Sequence, residues 1–474
     1  MTDLAWMDAT DLAAMVRRRQ VTPRELVEKT LGRIDAVDPA INAVVTRFDD
    51  LALQAADRLE DRGQPFLGVP YLLKESAWMA NARASSASTL LRDRIADSDS
   101  ELVRRYRTAG LVVVGKANMS EFGILGTTEP VLFGPTRNPW DPTRTAGGSS
   151  GGSAAAVSAG LVSIAHGGDS GGSIRIPASC CGIVGLKPSR GRNPMPPGAD
   201  VGGLTAQHVL TRTVRDSAAL LDATAGPYGG GPCVPPPRTS FAAAVEREST
   251  GLRIAFGVES PLAFPVHADC VAAVRYAAAL CASLGHVVEE ATPLFDEERL
   301  FEAFDLIWTS ELASWISATA KNGELDRSLV EPLSWAIVEV GRSRTAADYQ
   351  RGLAGAQVAA AAAAAFHERY DVWLTPTLGA PPVALGWLSQ PRDDPLRAYR
   401  RDAEFCAFTP IANMTGQPAV SLPLFWNGDG LPIGVQCTAA FGAEEVLFDL
   451  AGQLERARPW AARRPLISAD STDD

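Results

Sequence analysis

The chain has 474 residues, 46 % hydrophobic and 21 % charged, which is ample material for a core. A prior of about 150 residues per domain would allow three domains, although large α/β enzymes use such a length for one. No apolar run approaches the roughly 18 residues of a membrane span, and 55 acidic against 44 basic residues, a formal charge of −11, argue against a nucleic-acid-binding surface. The five histidines (His166, His208, His267, His286, His367) show no HxxxH or HExxH spacing, and among seven cysteines the only close pair, Cys180 and Cys181, is adjacent. Neither a metal nor a redox cofactor is therefore expected. Residues 1–6 lack the basic and apolar segments of a secretion signal, which sets the expectation of a cytoplasmic protein.

Thr22-Pro23-Arg24-Glu25 supplies an N-cap, a first-turn proline and a capping-box glutamate, and Leu26, Leu31, Ile34 and Val37 follow at helical spacing until Asp38-Pro39 is expected to stop the helix. A second helix is expected over 51–62, ending at Gly63. Residues 68–74 read as a short strand that delivers Lys74 at its end, and 100–109 with 111–114 read as a helix running into a buried strand. From Gly147 to Gly185 the composition changes: 11 of 39 residues are glycine and eight are serine. A helix (153–159) and a strand (161–166) fall inside, so this glycine marks tight turns or close backbone approach to a ligand. Residues 226–238 are a Pro/Gly loop. A strand at 252–258, an amphipathic helix at 270–284 and a strand from His286 follow, and the alanine run within 357–369 reads as a close-packed helix. The alternation of strands and helices gives an α/β class.

Three points carry chemistry: Lys74 in Gly-Val-Pro-Tyr-Leu-Leu-Lys-Glu, Ser149 in Gly-Gly-Ser-Ser-Gly-Gly-Ser, and Ser173 in Gly-Asp-Ser-Gly-Gly-Ser-Ile-Arg-Ile-Pro. A serine after Gly171-Gly172 has backbone N–H groups beside it and no side chains in the way, the makings of an oxyanion hole. A serine nucleophile needs a base, and a lysine can serve only when burial or cationic neighbours keep it neutral. A phosphate cradle is the first rival reading, but neither GxxxxGK[ST] nor GxGxxG after a strand is present. His166, seven residues before Ser173, is the rival base and is read as structural. Cys180 and Cys181 read as buried free thiols.

Together these segments resemble the amidase signature family. The run from Gly147 to Lys187 is similar to its signature nearly throughout, the Lys74 segment is similar to its lysine motif, and Gly115-Lys-Ala-Asn118, Asn138-Pro-Trp-Asp141 and the stretch from Thr415 to Pro423 extend the likeness over most of the chain. The resemblance implies Ser173 as nucleophile, Ser149 as a bridging serine held by a cis peptide, and Lys74 as general base. It also implies backbone N–H groups of Ser170, Gly171, Gly172 and Ser173 as the oxyanion hole, with Asp169 and Arg175 bracing the loop. Ser170 departs from the threonine common at its position. The implied fold is one large α/β domain over 1–474, with a mixed central sheet covered by helices on both faces. Within it lie N-terminal helices (1–62), a catalytic core (68–190, signature 147–187), a variable pocket region (300–405) and a loose tail (468–474).

Within the family, Tyr71-Leu-Leu-Lys74, Thr127-Thr-Glu-Pro130, Ala165-His-Gly167 and the stretch from Gly430 to Gln436 look most like the bacterial cyclic-oligoamide and aryl-acylamide hydrolases. Trp78, Met79, Trp308, Trp315 and Trp335 are candidate lining for an apolar or aromatic amide pocket. The expected partners are a small amide or carbamate and water, without cofactor, nucleic acid or membrane, and a homodimer is left open. The alternatives are a glutaminase subunit of a tRNA-dependent amidotransferase and a scaffold protein that has lost catalysis.

Overall fold

Among the described residues, eleven strands join in one mixed sheet. In chain order they are β1 (Val44–Arg47), β2 (Pro70–Lys74), β3 (Val112–Ala117), β4 (Ile164–Asp169), β5 (Val184–Lys187), β6 (Ala206–Thr211), β7 (Arg253–Phe256), β8 (Val287–Glu290), β9 (Val372–Pro376), β10 (Ala419–Trp426) and β11 (Pro432–Ala439). Their spatial order is β1-β3-β2-β4-β6-β5-β10-β11-β9-β7-β8. The structure is a computed structural model that describes residues 4–196, 198–229, 234–319 and 325–472.

The sheet is covered on both faces, and β2 shows why its residues are apolar throughout. All five are buried. Tyr71 and Leu73 enter one core cluster with Phe66, Val69 and Tyr106, whereas Leu72 enters another, with Ala154, Ala155 and Ala156 of the helix Gly151–Ser158. Strand alternation therefore puts Lys74 on the Leu72 side, facing that alanine helix. β2 runs parallel to both β3 and β4, so Lys74 and Asp169 emerge at the same end of the sheet.

The helix Pro23–Ile41 begins as expected, with Thr22 and Glu25 forming a reciprocal capping box, but it runs through Pro39 instead of stopping there. It ends where Asn42 turns left-handed (φ 54°), while the Asp38 carboxylate accepts the N–H groups of Ala43 and Val44. The second helix is shorter than expected, Asp49–Asp57. The strand expected at 161–166 lies at Ile164–Asp169 because Leu161 and Val162 are spent on the turn after the helix, packed in the core. The alanine run belongs to a 22-residue helix, Ala346–His367. Within the Pro/Gly loop 226–238, residues 230–233 lie outside the described residues. The supposedly loose tail is anchored over its described part: the Ala469 N–H donates to Ala159 O (2.9 Å) and Trp6 Nε1–H to Asp470 Oδ1 (2.6 Å). Among the described residues no helix is long and apolar enough to cross a membrane.

Candidate active site

The 24-residue step from Ser149 to Ser173 is one excursion and return. The chain leaves Ser149 along the helix Gly151–Ser158, turns, and comes back along β4, so that Asp169 and the following loop reach the end of the sheet where the excursion began. Ser149, Ser173 and Lys74 then border one cavity. Lys74 Nζ–H donates to Ser149 Oγ at 2.6 Å and to Gly168 O at 3.2 Å. Lys74 is 4 % exposed. Burial lowers its ammonium to about 7 against the pull of the Asp169 charge. The Gly148–Ser149 peptide is cis. A Cβ on Gly148 would overlap the Thr127 backbone, which is why this turn holds glycine.

Asp169 and Arg175 are both fully buried and brace the loop between them. Arg175 uses all five of its N–H groups. Nε donates to Asp169 Oδ2 (3.0 Å) and Nη2 to Asp169 Oδ1 (2.9 Å) and Asn413 Oδ1 (2.6 Å), while Nη1 donates to Thr409 O (2.8 Å) and Gln436 Oε1 (2.7 Å). Burial alone would raise the Asp169 carboxyl, but the charge and hydrogen bonds of Arg175 prevail and hold it at about 2. Sequence reading missed Thr409, Asn413 and Gln436. Each lies more than 200 residues from the loop it braces, and only the family-like stretches 415–423 and 430–436 marked that neighbourhood.

The expected oxyanion hole needs one correction. The Gly172 N–H donates to Asp169 Oδ1 at 2.8 Å, so it points inward and is occupied. The N–H groups of Ser170, Gly171 and Ser173 remain as candidates. Gly172 is instead required by shape: its φ is +131°, and a Cβ there would overlap Thr409. His166 borders the cavity but accepts the Lys74 backbone N–H at Nδ1 (3.4 Å) and meets Gln207 through Nε2 (3.2 Å). Burial, then the nearby Lys74 charge, lowers it to about 3, so it is a neutral structural imidazole. Cys180 and Cys181 are buried free thiols, raised by desolvation.

The helix Glu297–Ala318 supplies one wall. Leu300, Phe304, Trp308, Leu312 and Trp315 recur along it at helical spacing and line the cleft. Trp308 stacks on Phe304 (5.6 Å, 18°), and Trp315 meets Phe122 edge-on (5.3 Å, 89°). Trp78 lines the same cavity and is 43 % exposed. Two expected lining residues are elsewhere. Met79, one step beyond Trp78, turns into the core with Leu102 and Tyr106, and Trp335 packs under Arg327 away from the cleft. Phe304 was missed, although its i+4 step to Trp308 carried the signal.

Comparison with known proteins gives the family. A family model described as Amidase matches residues 25–448. The chain belongs to the amidase signature family. The 6-aminohexanoate-cyclic-dimer hydrolase of Paenarthrobacter ureafaciens is 38 % identical to this amidase, over 98 % of this chain and 97 % of the relative. A solved structure of 6-aminohexanoate cyclic dimer hydrolase matches with a TM-score of 0.93 at 36 % identity, covering 98 % of this chain and 100 % of that one. A bacterial aryl acylamidase matches at 0.87 and 27 % identity, covering 97 % and 99 %. The protein is thus an amidase-family hydrolase acting on amide C–N bonds.

Proposed function

We propose that this amidase hydrolyses a small apolar or aromatic amide through Ser173, Ser149 and Lys74 by way of an acyl-enzyme. The observation that carries the reading is the buried 2.6 Å bond between Lys74 Nζ and Ser149 Oγ, with the lysine lowered to about 7. A lysine at that value is about half neutral at pH 7, whereas an ordinary one is neutral in fewer than about one molecule in a thousand. Neutral Lys74 takes the proton of Ser149 as Ser149 takes that of Ser173, and Ser173 Oγ attacks the amide carbon. The N–H groups of Ser170, Gly171 and Ser173 receive the developing oxyanion. The same pair returns the proton to the departing nitrogen, and water then releases the acyl group by the reverse relay. Carbamates follow the same path. The tryptophans on the helix Glu297–Ala318 support an aromatic preference.

The test is a hydrolysis screen over anilides, short aliphatic and cyclic amides, carbamates and glutamine, run beside Ser173→Ala. Anilide or cyclic-amide turnover well above that variant is the expected result. Turnover of glutamine alone would favour the glutaminase-subunit alternative, and no turnover above Ser173→Ala would overturn the hydrolase mechanism.

A further inference from the structure

The cleft has two arms that meet at Ser173. One is the cavity with Lys74, Ser149 and Trp78. The other, a narrow pocket, runs past Gly171, Leu300 and Phe304 and reaches Asp402 and Cys406. Ser173, Gly123 and Trp308 border both, whereas Lys74 and Ser149 border only the first. In the reaction proposed above, the leaving nitrogen must be protonated from Ser149 and Lys74, so the amine half belongs in the first arm. The acyl half, which stays on Ser173 after the C–N bond breaks, is left with the second. The ring edge of Phe304 lies over Gly171 there: a Cβ on that glycine would sit 3.2 Å from Phe304 Cζ.

The second arm is apolar except at its far wall. Tyr399 gives its hydroxyl to Asp305 (3.3 Å), and among the described residues Asp402 is the one carboxylate lining this arm. Asp402 Oδ1 accepts the Gly126 N–H at 2.9 Å and the Cys406 thiol at 3.6 Å, and Asp402 forms no ion pair among the described residues. A Cβ on Gly126 would crowd both Asp402 Oδ1 (2.7 Å) and Cys406 Sγ (2.8 Å), so glycine is what lets the carboxyl dock against the backbone. Asp402 is half-buried in this wall, and desolvation with no cation beside it raises its carboxyl to about 7, so a cation brought in by the substrate is what would hold it charged.

We propose that Asp402 is a specificity-determining residue that pairs with a protonated amine on the acyl chain, making aminoacyl amides the preferred substrate class. The inference rests on the serine–lysine reading, because that reading assigns the acyl half to this arm. It is tested with 4-nitroanilides that share one leaving group and differ only at the acyl end: straight-chain alkanoyl, the same chain with a terminal amine, and the same chain with a terminal carboxylate. The ratio of kcat/KM for two substrates on one preparation does not depend on how much of that preparation is folded, so unstable variants remain informative. The wild-type enzyme is expected to favour the amine over the alkyl chain by about tenfold or more, and over the carboxylate by more still. Asp402→Asn, which keeps an acceptor for Gly126, should bring the amine preference to near unity, and Asp402→Leu should reverse it. A wild-type ratio near unity with all anilides cleaved overturns the inference and leaves the hydrolase reading standing. So does an amine preference that survives in Asp402→Asn. Failure to cleave any anilide above the Ser173→Ala background removes both.

Discussion

Replacing Lys74 with methionine should abolish turnover and also make the protein more stable, by an amount that shrinks as pH rises. Lys74 is buried at 4 % exposure, and desolvation lowers its ammonium from 10.5 to about 7. Between these values the unfolded chain binds more protons than the folded one, so the wild-type stability rises with pH across pH 7–10.5. At pH 7 the buried lysine leaves the folded state about 4 kcal/mol less stable than it would be with an unshifted group. Methionine removes that burden but also the bonds from Nζ to Ser149 Oγ and Gly168 O, while the longer contact from Ser150 Oγ to Gly168 O (3.4 Å) stays. Such a loss offsets about 1–3 kcal/mol, so the net gain at pH 7 is about 1–3 kcal/mol. By pH 9 the gain should fall by roughly 2 kcal/mol, because the wild-type lysine is then neutral when folded while its unfolded counterpart still carries most of its charge. Urea unfolding of both proteins at pH 7 and pH 9 measures the two gaps. A difference in stability that is the same at both pH values would refute the reasoning, since it would mean that folding does not shift the lysine.

The same shift sets the activity profile: kcat/KM for a neutral anilide should fall about tenfold per pH unit below about pH 7, as Lys74 takes up its proton. His166→Gln should leave that limb in place, because His166 is lowered to about 3, and a limb lost in this variant would transfer the base role to the histidine. Arg175→Met leaves the Asp169 carboxylate buried without its partner and should destabilise by about 3–5 kcal/mol in denaturant unfolding. Trp315→Ala should raise KM for anilides about threefold or more, whereas Trp335→Ala should leave it unchanged, because only Trp315 borders the cleft.

What could be read from the sequence was whatever depends on near neighbours. The capping box at Thr22, the helix start at Ser100 and the alanine helix are local preferences that the tertiary structure left alone. Lys74, Ser149 and Ser173 could be found because a glycine-rich turn and a strand-end lysine are unusual and matched a known family together. Met79 and Trp335 were misplaced for a different reason. An apolar residue next to a site has no mark that separates lining from core; Met79 follows Trp78 directly yet is 4 % exposed against 43 %. The family resemblance assigned the Gly172 N–H to the oxyanion hole along with its neighbours, but its direction is set by Asp169, itself fixed by Arg175, Asn413 and their partners across the sheet. A local motif supplies donors, and the long-range network decides which of them face the substrate.

The size of the sheet and the choice of base belong to one argument. A lysine at the edge of a small domain would stay hydrated and protonated at pH 7, and serine chemistry there would call for a histidine. Here β2 lies inside an eleven-stranded sheet, with cores on both of its faces, and Lys74 inherits that burial from Leu72 and Leu73 before it. Asp169 acts in the opposite direction, favouring the charged lysine, yet most of its charge is committed to Arg175. If Arg175 were absent, the unpaired carboxylate would draw Lys74 upward toward its ordinary value and remove the neutral base. The buried ion pair therefore has two consequences: it holds the loop that carries Ser173, and it keeps an acidic neighbour from protonating the lysine. On this account Arg175→Met should move the acidic limb of kcat/KM to higher pH as well as destabilise the fold, and a limb that stays at about 7 in the folded fraction of that variant would confine Arg175 to bracing.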